Sequence, residues 1–363
     1  MSDLIVGLMS GTSLDGVDAA LVEFSRAMPV TVATVYSPYP AEIREQVLKL
    51  HRRGNDDLHQ SALLANRLAS AYAEATLTLL GKAGIAAEQV RAIGCHGQTV
   101  RHAPQDGYTQ QINNPALLAE LTGITVVADF RSRDIAAGGQ GAPLVPAFHS
   151  AIFRDPLHHR IILNLGGIAN LTVLTPGKPT LGFDCGPGNM LLDAWTQRHL
   201  GNEFDAGGNW AATGTVRPDL LERLLKVEFF SLQPPKSCGR EQFNLDWLQR
   251  LLSGREAAAD VQATLLALSV SAAEQAIRRW CGVPEEIYLC GGGAHNLTMV
   301  ERIRAKLPQA KVESTDVLGQ PADWVEAVAF AWLARRTLDG LPGNLPEVTG
   351  ARGLRVLGAI YPA

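Results

Sequence analysis

Asp184 is the carboxylate in this sequence best placed to act as a base. It follows the apolar segment 180–183, whose pattern predicts a strand, and it precedes the rigid turn Gly186-Pro187-Gly188. A carboxylate held at a strand end in this way could deprotonate a hydroxyl or a water during phosphoryl transfer. The structural alternative is an aspartate that only accepts hydrogen bonds from the amides of its own turn.

A glycine-rich turn between two apolar segments, at residues 7–18, predicts a β-hairpin that binds phosphate. Gly11 and Gly16 let backbone amides approach a ligand closely, and amides exposed at a turn bind phosphate oxygens. The hydroxyl donors of this turn are Ser10, Thr12 and Ser13. Asp15 and Asp18 add carboxylates suited to Mg²⁺ or to its waters. Taken alone, the segment also fits a glycine-rich hairpin with no ligand.

Further glycine clusters repeat this chemistry later in the chain. Residues 161–174 again read as strand, turn and strand, with Gly166 and Gly167 in the turn. Gly291-Gly292-Gly293 follows an apolar strand at 287–290 and precedes a predicted helix from about Asn296, which leaves room for a flat nucleoside. These elements predict a two-lobed nucleotide clamp in which each lobe offers a glycine hairpin to the phosphates. The sequence contains neither GxxxxGK[ST] nor GxGxxG, which argues against P-loop and Rossmann nucleotide binding.

Three more polar side chains are candidates for substrate contacts. His96 lies in a glycine-flanked turn after a predicted strand, where it is either a substrate donor or a satisfied structural histidine. Arg131 has aspartates on both sides, so it either grips a substrate carboxylate or belongs to a local salt-bridge cluster. Glu326 begins an apolar helix, where an acid either pairs with the helix dipole or faces a ligand.

The hydrophobic pattern predicts the strands and helices that position these residues. Strands of the N-terminal part are expected near 4–9, 17–25, 29–36, 90–95 and 124–128, with helices at 41–53 and 58–83. The second half opens with strands near 160–165, 169–174 and 180–184, and helices follow at 188–199, 215–227, 244–252, 258–281 and 323–338. Glycines and prolines between about 130 and 150 predict a connection that lines the cleft between lobes. A last short strand is expected at 354–360.

Composition narrows the class of protein. A length of 363 residues favours two domains, and 46% hydrophobic with 19% charged residues is typical of a soluble globular protein. The net charge of −4 gives no electrostatic case for nucleic acid or an anionic membrane. The N-terminus lacks a signal-peptide pattern, no apolar run reaches membrane-span length, and the five cysteines have no CxxC spacing. We therefore expect a cytoplasmic protein with reduced thiols that binds neither nucleic acid nor membrane.

Taken together, the motifs resemble those of the anhydro-N-acetylmuramic acid kinase family. They span nearly the whole chain in family order. The matching segments are residues 9–18, 94–99, 128–131, 139–146, 164–170, 184–189 and 291–293. One departure is Cys185, where a small hydroxyl residue such as threonine is expected; the role of Asp184 next to it should be unaffected.

The resemblance implies an α/β fold: two ribonuclease-H-like lobes of the actin-like ATPase and sugar kinase fold, with ATP in the interlobe cleft. On this basis we expect the first lobe to comprise residues 1–133 plus 346–363, and the second to comprise residues 134–345. The resemblance also implies a homodimer, because members of the family look like homodimers.

The resemblance also implies a reaction, in which 1,6-anhydro-N-acetylmuramate, ATP and water give N-acetylmuramate 6-phosphate and ADP during peptidoglycan recycling. Asp184 would deprotonate the water that attacks the anomeric carbon, and O6 would then attack the γ-phosphate. The implied ATP-binding residues are Gly11, Thr12, Ser13, Leu14, Asp15, Gly16, Val17, Asp18, Asn164, Gly166, Gly167, Gly291, Gly292 and Gly293. The implied contacts to the amino sugar are His96, Thr99, Arg131 and Glu326, with Arg131 at the lactyl carboxylate. Mg²⁺ would accompany ATP, and its protein ligands stay open.

Two alternatives differ in chemistry. One is another sugar or polyol kinase, or a polyphosphate hydrolase, of the same fold; the other is a non-metabolic actin- or Hsp70-like ATPase whose closure drives a protein partner. An ordinary kinase needs no water attack, and an ATPase of the second kind should hydrolyse ATP slowly without sugar. The polar segment around Arg131 and residues 138–146 favours a small polar substrate.

Overall fold

The chain divides into two compact units. The computed structural model describes residues 3–11, 14–26, 28–51, 56–240 and 242–363, so the predicted phosphate contacts Thr12 and Ser13 lie outside the described residues. Unit 1 comprises Met1–Ile152 and Gly319–Ala363, and unit 2 comprises Phe153–Leu318. Residues 134–152 and 319–345, which the sequence analysis assigns to the second lobe, therefore belong to unit 1.

The elements follow the predicted order closely. Up to residue 153 they are β1 Leu4–Met9, β2 Gly16–Glu23, β3 Val30–Pro38, α1 Ala41–Leu50, α2 Asp57–Ala83, β4 Val90–Cys95, β5 Gln98–Ala103, β6 Tyr108–Ile112, α3 Pro115–Thr122, β7 Val126–Ala128, α4 Ser132–Ala136 and α5 Val145–Phe153. Unit 2 continues with β8 Arg160–Leu165, β9 Ile168–Leu174, β10 Leu181–Pro187, α6 Met190–Leu200, α7 Asn209–Thr213, α8 Pro218–Leu225, α9 Leu245–Leu251, α10 Ala258–Ala276, β11 Glu286–Cys290, α11 Leu297–Lys306 and β12 Lys311–Ser314. The chain ends with α12 Val325–Leu338, α13 Pro346–Thr349 and β13 Ala359–Tyr361.

The two main sheets share a five-stranded topology, to which β13 adds a sixth strand in unit 1. In unit 1 the order is β13-β7-β4-β1-β2-β3, and in unit 2 it is β10-β9-β8-β11-β12. In unit 1, β1, β2 and β3 form an antiparallel meander, and β1 pairs in parallel with β4, which pairs in parallel with β7. In unit 2, β8, β9 and β10 form the same kind of meander, and β8 pairs in parallel with β11, which pairs in parallel with β12. This 3-2-1-4-5 order is the ribonuclease-H-like arrangement that the resemblance implies, and the predicted fold class is confirmed.

Helix α12 explains why residues 319–345 belong to unit 1. It packs against β1, β2 and β4, and all residues of β1 are buried. Strand residues Gly7 and Gly94 allow this close approach, because a Cβ on either would collide with the carbonyl oxygen of Ala327 or Phe330. The apolar pattern predicts a buried helix at this place in the chain, but it does not indicate which sheet the helix covers.

Two parts of unit 1 differ from the predicted elements. The last strand is shorter than expected and pairs antiparallel with β7, so the chain returns to the first sheet. Strands β5 and β6 form a separate two-stranded ribbon that the sequence pattern did not reveal. Its first strand, Gln98–Ala103, carries polar side chains on both faces, so it lacks the alternation from which a half-buried strand is recognised.

Unit 2 is built around α10, which is buried over most of its length and contacts α6, α7, α8, α11 and β10. Within the part of the chain that the structure describes, none of the helices has the length and apolar character needed to cross a membrane.

Candidate active site

Asp184 is fixed by the backbone of a distant segment. It lies half-buried in the middle of β10, paired with Asn170, and not at the strand end that the sequence pattern predicts, because the strand continues to Pro187 after a register shift between Asp184 and Gly186. Its Oδ2 accepts a hydrogen bond of 3.0 Å from the backbone N–H of Cys238, 54 positions further along the chain. The Asp184 N–H donates in turn to the carbonyl oxygen of Lys236 at 3.1 Å. An amide bonded to a carboxylate favours its ionised form and restricts its rotation, which is what a base needs.

The glycine hairpin of unit 2 is joined to the turn that follows Asp184. The Gly166 carbonyl accepts from the Asn189 N–H at 2.9 Å, and the Gly167 carbonyl accepts from the N–H groups of Gly188 at 2.9 Å and Met190 at 3.2 Å. The hairpin carbonyls therefore satisfy the first amides of α6. The β8–β9 turn is consequently joined to the start of α6, directly after the strand that carries Asp184.

The triple glycine lies against the same hairpin. Gly291 has a φ of +77°, and a Cβ on it would collide with Oδ1 of Asn164. Asn164 is 3% exposed, and its Oδ1 has no hydrogen-bond donor among the described residues. A buried amide oxygen without a partner is costly, and a nucleoside offers both N–H and O–H donors. The side-chain-free strand end and the unpartnered oxygen therefore fit ATP.

In unit 1, some of the described groups of the segment 11–18 are bonded or buried within the protein, and others are available to a ligand. The Gly11 carbonyl accepts from Gln98 Nε2 at 3.2 Å and from the Leu14 N–H at 3.4 Å. Leu14 and Val17 are buried in the hydrophobic core, so only their backbone groups are available to a ligand. Gly16 also has a packing role, because a Cβ there would collide with the carbonyl oxygen of Ser37 in β3.

Asp18, in the strand that follows this turn, lies near other carboxylates. The pKa of Asp18 is raised from 3.8 to about 8, first by burial and then by the charges of Asp15, Glu326 and Asp323. Carboxylate oxygens are ligands that Mg²⁺ prefers. Within the described ranges, however, no group of three or more His, Cys, Asp or Glu side chains is arranged to hold a metal ion. The residues fit a Mg²⁺ ion that takes most of its ligands from phosphate and water.

His96 and Arg131 form one hydrogen-bonded pair. Arg131 donates to His96 Nε2 from Nε at 3.1 Å and from Nη2 at 2.9 Å, and its Nη1 donates to the Gly141 carbonyl at 2.8 Å. Burial and then the Arg131 charge hold the pKa of His96 well below its usual value of 6.5. Since arginine only donates, Nε2 carries the lone pair and Nδ1 carries the proton. Among the described residues, that buried Nδ1–H has no acceptor in good hydrogen-bond geometry, and the nearby backbone of Gly97 and Ser10 only partly offsets the lowering of the pKa.

Asp134 holds the loop that supports Arg131. This fully buried carboxylate accepts from the Gly141 N–H, from Asn344 Nδ2 and from Thr349 Oγ1, each at 2.8 Å. From the sequence, Asp134 is one of the aspartates that flank Arg131. The structure shows it joining residues 138–141 to α13 and the segment before it.

The other predicted sugar contacts also lie in unit 1. Thr99 is in β5, and its Oγ1 accepts from Gln111 Nε2 at 3.1 Å. Glu326 lies in the first turn of α12 and is partly buried. His96 immediately follows β4 and lies two residues before β5, the strand that carries Thr99.

Sequence reasoning missed the segment 236–238 that holds Asp184. A signal was present, because Lys236 follows two prolines and precedes Gly239 by three residues, in a stretch with no helical or strand periodicity. Nothing in that pattern indicates which residue it contacts.

The family model described as "Anhydro-N-acetylmuramic acid kinase" matches residues 3–363. The chain belongs to this family. A relative from Nitrosospira multiformis named anhydro-N-acetylmuramic acid kinase is 56% identical over 360 residues, covering 99% of this chain and 98% of the relative. One of the same name from Nitrosomonas europaea is also 56% identical, over 99% of each chain.

A solved structure, the activator of the 2-hydroxyisocaproyl-CoA dehydratase from Clostridium difficile with bound ADPNP, is a weaker likeness. It has a TM-score of 0.47 and 13% identity, over 91% of this chain and 93% of that one. Membership of the anhydro-N-acetylmuramic acid kinase family confirms the resemblance read from the sequence and the predicted class of enzyme, a sugar kinase.

Proposed function

We propose that this chain uses ATP and water to convert 1,6-anhydro-N-acetylmuramate into N-acetylmuramate 6-phosphate and ADP, a step in the recycling of peptidoglycan. The observation that carries the proposal is the carboxylate of Asp184, fixed through Oδ2 by the Cys238 amide, in a strand whose following turn is bonded to the glycine hairpin. A kinase that acts on a free hydroxyl needs no attacking water, whereas an anhydro sugar has no hydroxyl at C6 until its bridge opens.

The proposed steps begin with proton transfer. Asp184 takes a proton from a water whose oxygen bonds to C1 of the sugar, and the C1–O6 bond breaks with its electron pair going to O6. O6 then attacks the γ-phosphorus, the bond from that phosphorus to the β,γ-bridging oxygen breaks, and ADP leaves. The proton on Asp184 passes to solvent. The chain's contribution is positioning and proton transfer, as is usual in phosphoryl transfer.

We assign the nucleotide contacts unit by unit. In unit 2, Gly166 and Gly167 would contact phosphate oxygens, and Asn164 Oδ1 would accept a hydrogen bond from the nucleoside beside Gly291–Gly293. In unit 1, the backbone of residues 11–18 would contact phosphate, with Asp15 and Asp18 near the metal's waters. Mg²⁺, when bound, neutralises charge on the phosphate oxygens.

The sugar contacts in this proposal are polar groups of unit 1. The unpartnered Nδ1–H of His96 donates to a sugar oxygen, and Arg131 faces the lactyl carboxylate. Thr99 and Glu326 bind the remaining polar groups. Support comes from the buried His96 donor, since an unsatisfied N–H in the interior is costly unless a ligand accepts from it.

The test combines an isotope with a variant. ADP release should require 1,6-anhydro-N-acetylmuramate, and ¹⁸O from labelled water should appear at C1 of the product. Asp184→Asn should lower kcat by about a thousandfold, with the KM for ATP within twofold, while the exposed Asp246→Asn in α9 changes neither. Equal turnover of glucose or glycerol, or unlabelled C1, would reject the proposed reaction. Full activity of Asp184→Asn would remove Asp184 from it.

We also propose that the protein works in the cytoplasm as a homodimer. All five cysteines are free thiols, which supports a reducing compartment. The dimer rests on the family resemblance, and sedimentation of the purified protein tests it: a single species with the mass of one chain would contradict it.

A further inference from the structure

The segment Lys236–Cys238 brackets Asp184 with two hydrogen bonds. The Lys236 carbonyl accepts from the Asp184 N–H, and the Cys238 N–H donates to Asp184 Oδ2. Both bonds come from backbone groups, so the orientation of the carboxylate depends on what holds this segment in place.

The Lys236 side chain anchors the segment in the interior. Lys236 is only 9% exposed, and its Nζ donates to the Phe229 carbonyl at 3.0 Å. The same Nζ lies 4.6 Å from the centre of the Phe229 ring and 6.0 Å from the centre of the Phe183 ring. Phe183 immediately precedes Asp184. An ammonium group in contact with two aromatic faces and a carbonyl is held at a defined position.

Burying a lysine ammonium group costs free energy unless a nearby group compensates its charge. Burial lowers the pKa of Lys236; the thiols of Cys185 and Cys238 and the carboxylate of Asp184 oppose this shift, and Arg279 adds to it. Buried cations are retained where an anion compensates them. Asp184 is the carboxylate among the groups that act on Lys236.

We propose that Lys236 is a positioning residue for Asp184: its anchored ammonium fixes the 236–238 segment that orients the carboxylate, and its positive charge favours the ionised form of that carboxylate. The inference rests on the proposed function, in which Asp184 accepts a proton from water. Lys236 itself touches neither substrate in this scheme. Its effect is transmitted through the Cys238 amide and through the electric field at Asp184.

Two variants separate charge from packing. Lys236→Met keeps an unbranched side chain and removes the charge, whereas Lys236→Arg keeps the charge. For Lys236→Met we expect kcat to fall about tenfold or more with both KM values within twofold, and the acid limb of the kcat–pH profile to move to higher pH by about half a unit or more. Lys236→Arg should leave the acid limb at its original pH. Lys226→Met, at an exposed lysine paired with Glu222, is the matched control and should change nothing.

The experiment measures the kcat–pH profile of each variant in the ADP-release assay, with circular dichroism as the check on folding. An unmoved acid limb in Lys236→Met, or an equal shift in Lys236→Arg, would overturn the inference. If the methionine variant does not fold, Lys236→Gln takes its place under the same criteria. Asp184→Asn in the same series separates the two proposals: if it stays active, the proposed function fails, and if it is inactive while the Lys236→Met profile is unchanged, only the positioning role fails.

Discussion

Arg131 donates two hydrogen bonds to the same atom of His96: its Nε lies 3.1 Å and its Nη2 lies 2.9 Å from His96 Nε2. Because arginine cannot accept, this contact fixes the tautomer of the histidine. Burial and the same positive charge keep the pKa of His96 low, so the ring stays neutral. His96 is thereby prepared as a single, oriented N–H donor.

His96→Phe should therefore weaken sugar binding selectively. The variant keeps a ring beside Phe330 but removes the Nδ1–H donor and the acceptor for Arg131. We expect the KM for the anhydro sugar to rise about tenfold, the equivalent of one hydrogen bond in a buried site, with the KM for ATP within twofold. Steady-state kinetics with each substrate varied in turn measures both.

The control is His102→Phe, at an exposed histidine of the same unit whose Nδ1 bonds to Thr109 Oγ1. It should leave both KM values within twofold. An equal rise of the two KM values in His96→Phe would contradict the assignment of His96 to the sugar.

Gly292→Ala should impair nucleotide binding without affecting folding. A Cβ on Gly292 meets no atom within 4 Å, so the methyl group occupies only the space assigned to the nucleoside. We expect the KM for ATP to rise about tenfold or more while the unfolding temperature changes by less than about 2 °C. Calorimetry and kinetics on the same preparation provide the measurement.

Gly291→Ala provides the contrast one residue earlier. Its φ of +77° and the collision with Asn164 Oδ1 predict a loss of several degrees in unfolding temperature. Gly81→Ala, in α2 and with open space around it, should leave ATP binding unchanged and raise the unfolding temperature slightly, because alanine is the better helix former. Unchanged ATP binding in Gly292→Ala would show that the nucleoside does not lie against the triple glycine.

His149 should make unit 1 less stable in acid. Burial lowers its pKa from 6.5 to about 3, so below pH 6.5 the unfolded chain takes up a proton that the folded state does not. Stability conferred by the neutral ring is therefore complete above pH 6.5 and falls as the pH drops towards 3. Between pH 7.5 and pH 5 we expect a loss of about 2 kcal/mol of unfolding free energy from this group.

Urea unfolding of the wild type and of His149→Gln at the two pH values tests this expectation. The variant should lose less stability than the wild type on acidification, by about 2 kcal/mol. His59→Gln, at an exposed histidine of α2, should behave like the wild type. If His149→Gln and the wild type lose the same stability, the buried ring does not contribute to the acid sensitivity.

Much of the fold could be predicted because its signals are local. The strand–glycine–strand patterns at 4–23 and 160–174 became β1–β2 and β8–β9, and the helix predicted after the triple glycine begins at Leu297 with Asn296 capping it. The unit boundary and the β5–β6 ribbon were not predictable in this way. They depend on which sheet α12 covers and on polar strands that lack alternation.

By itself the sequence determined which residues are available for chemistry: the carboxylate of Asp184, glycine turns without side chains, and the polar residues His96 and Arg131. Backbone conformation and hydrophobic periodicity depend on residues that are close in the sequence, so a short stretch of sequence is enough to predict these features. Only the tertiary structure decided the partners. The Cys238 amide on Asp184, the Arg131 nitrogens on His96 and the Asp134 carboxylate on Asn344 join positions between 35 and 210 residues apart. Hydrogen bonds of that kind exist only once packing has brought distant segments within about 3 Å, and no local pattern encodes them.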